Sequence, residues 1–231
     1  MPSLQRLIDR LGVPITNQRL LTAALTHSSF LNEHPEESDL MSSERLEFLG
    51  DALLNYLAGV LVFERYPTCG EGDLSELRAI LVRTSTLAEF ARELDLGAHV
   101  RLTKGEVHSG ARNRPALLAD TFEALVAAIY FDGGIDVLRT FILPLWEARL
   151  AQVNLKALRM DYRSMLQERI QSERAITPRY IVVAEAGPEH DRRFTVEVMV
   201  GAEKLGMGQG HSKQLAGQAA AQAALLHLDS Q

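Results

Sequence analysis

The chain has 231 residues, 46% of them hydrophobic and 23% charged, enough for one large or two ordinary domains with real cores and the composition of a soluble globular protein. A single cysteine, Cys69, excludes an internal disulfide partner and a thiolate metal cluster. The formal net charge of −6 argues against a uniformly phosphate-binding surface, but it is uneven: residues 1–156 hold 15 Lys and Arg against 21 Asp and Glu, whereas residues 157–231 hold nine of each.

The first residues carry Arg6, Asp9 and Arg10 and are too charged for a secretory signal. The apolar helices further on are interrupted by acids and too short for convincing membrane spans, so a cytoplasmic protein with no membrane partner is expected. Leu4 to Leu11 reads as an amphipathic helix stopped by Gly12, and Asn17 as the cap of a second helix reaching about Leu25. In the following THSSF, residues 26–30, His27 is a candidate catalytic residue, but a lone histidine near a helix end is more often structural. Asn32 to Ser42 is acidic, contains Pro35 and predicts an exposed loop.

The stretch from Ser43 to Tyr66 is apolar nearly all round, which predicts a helix buried in a core, capped by Ser42 or Ser43 and ended by Tyr66-Pro67. Yet Glu44, Glu47 and Asp51 fall at i, i+3 and i+7, a single stripe. Leu117 to Phe131 repeats the anomaly, because its only charges are Asp120 and Glu123, again three apart. Uncompensated buried carboxylates cost several kcal/mol. If the two stripes face each other they form an all-oxygen pocket suited to Mg²⁺ or Mn²⁺.

Between these helices, Glu71 precedes a glycine turn, Ser75 is a candidate cap, and Leu74, Leu77, Ile80 and Leu81 have helical spacing. A further helix is expected from Ser85 to Leu94, closed by Gly97. Residues 101–115 form a glycine-rich segment with Arg101, Lys104, Arg112 and Arg114, either solvated or contacting phosphate. After Gly133-Gly134 a last helix runs from Asp136 to Leu150, with Pro144 a candidate kink. Residues 1–150 thus predict an all-α domain and residues 151–160 a linker.

From Asp161 the pattern changes. Residues 161–173 are helical, 179–186 and 192–200 alternate as strands, 203–208 form a third short strand, and Ser212 opens an alanine-rich helix to Leu228. This α-β-β-β-α order in residues 161–231 predicts an α+β module with both helices on one face of the sheet.

The blocks ERLEFLGDA (44–52), EGDLSELRA (71–79), THSSF and the run from Lys104 to Gly134 resemble, in the same order, those of the ribonuclease III family, and the tail resembles the double-stranded-RNA-binding domain that follows in its bacterial members. The resemblance implies a ribonuclease III fold and a homodimeric, Mg²⁺-dependent endonuclease for double-stranded RNA, with Mn²⁺ as a substitute. Its products would carry 5′-phosphate and 3′-hydroxyl ends with short 3′ overhangs, and its substrates would include precursor ribosomal RNA. It also implies that Glu47, Asp51, Asp120 and Glu123 are the metal-binding carboxylates, with Asp51 and Glu123 the most intimate catalytic pair. Glu44 and Glu71 match outer acidic positions of the cleavage centre. Phe48 matches an aromatic that plugs into the partner subunit. In the tail, Gln167 and Glu168 match the first minor-groove contact, the turn with His190 the second, and Ser212 and Lys213 the phosphate contacts at a helix N-terminus. The usual second lysine there is replaced by Gln214. Two other readings compete: a di-metal oxidase, which lacks its Glu-x-x-His pairs here, and a pure RNA-binding protein, which would not be expected to keep every acid.

Overall fold

The computed structural model describes residues 3–37, 39–153, 161–187 and 192–229. They fall into two compact units, Met1–Val153 and Asn154–Gln231. The linker expected at 151–160 lies, beyond Val153, outside the described residues.

The first unit is helical, and its helix ends follow local chemistry. Helix α1 (Leu4–Leu11) starts where the Ser3 hydroxyl accepts from the Gln5 amide and stops at Gly12, whose φ of 67° is left-handed. The side chain of Asn17 caps α2 (Gln18–Ala24) by accepting from the Leu20 amide. The acidic stretch expected to be a loop instead contains the end of α3 (Ser28–Glu33) and a 3₁₀ turn at Pro35–Glu37. Helix α4 (Ser43–Arg65) begins after Ser42 without a side-chain cap and ends at Tyr66. Helix α5 (Glu71–Val82) begins four residues before Ser75, because Gly70 takes the cap position and Glu71 and Asp73 favour a helix N-terminus. The Ser75 hydroxyl donates back to Glu71 rather than capping.

Helix α6 (Thr84–Glu93) is closed not by Gly97 but by Asp95, which takes the left-handed conformation at φ 58°. Gly97 sits inside α7 (Leu96–His99) for another reason: a Cβ there would stand 2.5 Å from the Arg112 carbonyl oxygen. The 101–115 segment holds α8 (Lys104–His108) and a 3₁₀ turn at Ala111–Asn113. Helix α9 (Pro115–Leu150) has proline at its first position and one non-helical residue, Gly134 (φ 78°, ψ −175°); its helical path continues through Pro144.

Helices α4 and α9 form the central pair, with α2, α5 and α6 packed around them. Phe122 lies between Phe90 and Phe141, with ring centroids 5.7 and 5.9 Å away, and Trp146 is fully buried. Helix α4 departs from the all-round burial its composition predicts. Leu46, Gly50, Leu54, Leu57, Ala58 and Val62 are buried along one face, while Phe48, Tyr56 and Phe63 are 80%, 63% and 70% exposed on another. It is also long and apolar enough to cross a membrane by length and composition, but its buried face is spent on other helices of this unit.

The second unit is an antiparallel sheet in the order β1-β2-β3, with β1 at Arg179–Ala186, β2 at Arg193–Val200 and β3 at Glu203–Gly210. Phe194, Val196, Val198 and Val200 point inward against Leu166 and Ile170 of α10 (Tyr162–Arg174) and the alanines of α11 (Lys213–Asp229). A Cβ on Gly206 or Gly208 would lie 2.5 Å or 2.2 Å from backbone atoms of Ala220. The glycines of β3 and alanines of α11 therefore let helix and strand meet at backbone distance. Asp161 caps α10, and its carboxyl is held down at about 2 by hydrogen bonds from the Ser164 hydroxyl and then Gln218 of α11.

Candidate metal centre and nucleic-acid interface

Gly50 decides how close the central helices come. A Cβ there would lie 1.9 Å from the Glu123 carbonyl oxygen, so only glycine lets α4 rest on the α9 backbone at this level. Around the contact, Leu46 packs on Ala23, Ala24, Ala124, Ala127 and Ala128, small residues that keep α2, α4 and α9 near one another. The acids converge as a result. Carboxylate oxygens of Glu47, Asp120 and Glu123 lie within 4.8 Å of one another, a spacing that can hold a metal ion.

Glu123 is half-buried, like Glu47, and desolvation pushes its carboxyl up to about 8, helped by the negative charges of Asp51, Asp120 and Glu47 in that order. Such a carboxylate, ringed by three others and poor in solvent, fits a hard divalent cation, whose charge would reverse each of those effects. Asp51 stands at the edge of this group. It is exposed and accepts a 2.9 Å hydrogen bond from Asn55 Nδ2. Glu44 is exposed and lines a cavity of about 290 Å³ together with Glu47, Asp120, Thr121, Leu117 and His27. Glu71 is exposed at the start of α5 and outside the converging group.

Two of the four cations in the 101–115 segment serve structure. Arg101 makes a bidentate pair with Glu37 at 2.6 Å and stacks 4.2 Å over the Phe30 ring. Arg112 Nη1 donates to the carbonyls of Gly97 and Val100 at 2.6 and 2.7 Å. Arg114 donates to the Ser109 hydroxyl, and Lys104 begins α8 on the exposed side. Arg101 and Arg112 are thus held by a half-buried carboxylate and by backbone carbonyls, whereas Lys104 is exposed and Arg114 donates to a single hydroxyl.

In the second unit, Gln167 and Glu168 are exposed on α10, and Lys213 and Gln214 are exposed at the start of α11. The Ser212 hydroxyl accepts from the Leu215 amide, so it acts as the cap of α11. The Lys213 ammonium lies 5.6 Å from the Phe194 ring centroid. His190 lies outside the described residues. Gly50 is the residue sequence reasoning missed; the signal was a glycine inside an otherwise strong helix, between Glu47 and Asp51, with no turn to explain it.

The helical unit thus gathers carboxylates between two helices and is followed by an α-β-β-β-α unit. The family model described as Ribonuclease-III-like matches residues 17–147, and that of the double-stranded RNA binding motif matches residues 162–228. Ribonuclease 3 of Roseiflexus sp. (strain RS-1) is 59% identical over 224 residues, 96% of this chain and 94% of the relative. Ribonuclease 3 of Bacillus cytotoxicus is 43% identical over 96% of this chain and 90% of the relative. The crystal structure of the Campylobacter jejuni ribonuclease III nuclease domain covers 67% of this chain and all of that domain, at 34% identity and a TM-score of 0.59. A second structure of that domain, described as flexible in a region involved in dimer formation, covers 64% of this chain and 99% of its own, at 34% identity and a TM-score of 0.58. The chain belongs to the ribonuclease III family: it is an endoribonuclease that cuts double-stranded RNA.

Proposed function

We propose that this enzyme cuts duplex RNA with Mg²⁺ held by Glu47, Asp51, Asp120 and Glu123, with Mn²⁺ as a substitute, and that it works as a homodimer. The observation that carries the reading is the convergence of Glu47, Asp120 and Glu123 within 4.8 Å around a carboxyl group pushed up to about 8. Gathering these acids is costly in the absence of a cation, and the packing at Gly50 enforces it. Bound Mg²⁺ supplies charge stabilisation at the phosphoryl oxygens, an acidified attacking water and help for the leaving 3′ oxygen. The chain's own part is to hold the carboxylates rigidly on two packed helices, with Glu44 on the wall of the adjoining cavity and Glu71 as an outer acid facing the substrate. Such hydrolysis leaves 5′-phosphate and 3′-hydroxyl ends, and two offset centres leave short 3′ overhangs.

Pairing of two copies is supported by the exposed aromatics of α4, which an isolated subunit would leave in water. Phe48, 80% exposed, is the residue assigned to enter the second copy. Beside Tyr56, Val60, Ile142 and Trp146 opens a recess of about 150 Å³, which continues the apolar surface. Duplex RNA is held by shape: Gln167 and Glu168 at one minor groove, His190 at the next, and Lys213 with the capped start of α11 on the phosphates between them. Precursor ribosomal RNA in the cytoplasm is the substrate this reading assigns.

The test is Glu123→Gln assayed on a long duplex with Mg²⁺. Cutting is expected to be lost while duplex binding is kept; undiminished cutting overturns the assignment.

A further inference from the structure

The His27 ring lines the cavity beside Glu47 and Asp120, and it is held there by a chain of hydrogen bonds rather than left to rotate. Its backbone is fixed first. The His27 amide donates to the Arg101 carbonyl at 3.1 Å and the Arg101 amide to the Leu25 carbonyl at 2.7 Å, so the two segments form a short bridge. Glu106 then closes the arrangement. It occupies the third position of α8, whose Thr103 cap accepts from the Glu106 amide at 3.2 Å, and its carboxylate accepts a short hydrogen bond from the Ser29 hydroxyl.

This chain favours the proton on one ring nitrogen of His27 over the other. The carboxyl of Glu106 is held below the ordinary carboxylate range, first by the Ser29 hydroxyl, so it is ionised and only accepts. Ser29 has one hydroxyl proton, and it is spent on Glu106. Its oxygen, 2.8 Å from His27 Nδ1, can then only accept from that nitrogen. The Ser29 amide is placed to donate to Nδ1 as the cap of α3, a bond that would need the proton on Nε2, but at 3.3 Å it is longer than the 2.8 Å contact with the Ser29 hydroxyl oxygen and is the weaker of the two. With the proton on Nδ1, the neutral ring offers Nε2 as an acceptor, and Nε2 has no partner among the described residues. Acceptors of this kind are of little use to phosphates, which have no proton to give. A ribose 2′-hydroxyl has one.

We propose that His27 is a specificity-determining residue of the cleavage site, its Nε2 accepting a hydrogen bond from a ribose 2′-hydroxyl of the bound duplex, with Ser29 and Glu106 as positioning residues that hold the ring and its tautomer. The contact helps the cleavage site distinguish RNA from DNA, separately from the RNA-binding domain. The inference rests on the metal-supported cutting described above, so the experiment separates the two.

Full-length wild-type protein and His27→Ala are compared, with Mg²⁺ in single-turnover cleavage, on a duplex carrying one 2′-fluoro nucleotide at a time around the cut. Fluorine keeps the A-form sugar but cannot donate. At one or two positions the wild type is expected to lose about three- to tenfold, the worth of one neutral hydrogen bond, while His27→Ala, already slower by that factor, loses nothing more. Fluorine penalties of equal size in both proteins, or no penalty in the wild type, overturn the proposal. Absence of wild-type cutting on the unmodified duplex would instead overturn the metal-dependent reading. Should His27→Ala fail to fold, the ¹⁵N shifts of His27 in the wild type decide the tautomer: a proton on Nδ1 is expected, and a neutral ring with its proton on Nε2 overturns the proposal.

Discussion

In a protein stripped of divalent ions, Glu123 should make the helical unit lose stability as pH rises. Below about pH 4.5 its carboxyl is protonated in the folded and unfolded chain alike and contributes nothing. Above that, the unfolded chain ionises while the folded one keeps its proton until about pH 8. The folded state thus binds more protons across this window, so unfolding free energy falls with rising pH and stays low beyond it. Each tenfold change in an acid constant is worth 1.36 kcal/mol, so moving Glu123 from 4.5 to about 8 sets a ceiling of roughly 5 kcal/mol. Relaxation of the exposed neighbours Asp51 and Asp120 brings the expected loss to roughly 2–4 kcal/mol. The assay is urea unfolding with chelator at pH 5.5 and 8.5. Trp146, the chain's one tryptophan, is buried in the helical unit, so its fluorescence reports that unit alone. Glu123→Gln should flatten the pH dependence and exceed the wild type at pH 8.5, and Mg²⁺ should restore the wild type but not the variant. Parallel losses in both proteins would refute the reasoning.

Gly50→Ala should separate α4 from α9, since its methyl would meet the Glu123 carbonyl at 1.9 Å; about 1–3 kcal/mol of stability is expected to go, and cutting to fall with it, while duplex binding measured by gel shift is unchanged. Phe48→Asp should leave subunit folding intact, because Phe48 is 80% exposed, and convert a dimer to a monomer in sedimentation equilibrium. Gln214→Lys, at the exposed start of α11, should tighten binding to long duplexes and steepen its salt dependence by about one unit of slope; equal affinity at low salt would count against a phosphate contact there.

Much of the fold was legible because it is written locally. Asn17, Gly12 and Tyr66-Pro67 act on their own neighbours, and the helix ends fall where they stand. Some failures were local, such as Ser75, which donates back to Glu71 while Gly70 takes the cap position, but others involve partners distant in sequence. Gly97 looked like a helix stop, but the stop is Asp95 and the glycine answers to the Arg112 carbonyl fifteen residues on. Arg101 and Arg112 were read as either solvated or contacting phosphate, yet Glu37 and two carbonyls occupy them. Strand β1 is rich in apolar residues, but α11 packs on β2 and β3, and Ile181, Val182 and Val183 stay 41–47% exposed. The acidic stripe was visible from its spacing. That Asp51 would sit at the rim, tied to Asn55, while Glu47 joins Asp120 and Glu123, depends on the roll of α4 against α9, which no periodicity specifies.

That roll is set by the smallest residues in the contact. Ala124, Ala127 and Ala128 on α9 and Gly50 on α4 bury little apolar surface each, so they are weak contributors to the core by area. What they provide is close approach of the helices, which raises Glu123 first by desolvating it and then by bringing the other acids near. Larger side chains at these positions would bury more surface, separate the helices, restore water to the acids and remove both the electrostatic cost and the cation site. The helical unit therefore gives up stability at the one place where its acids must meet. A stabilising substitution at Gly50 or the facing alanines, if one were found, should cost cutting in proportion to the distance it opens between Glu47 and Glu123.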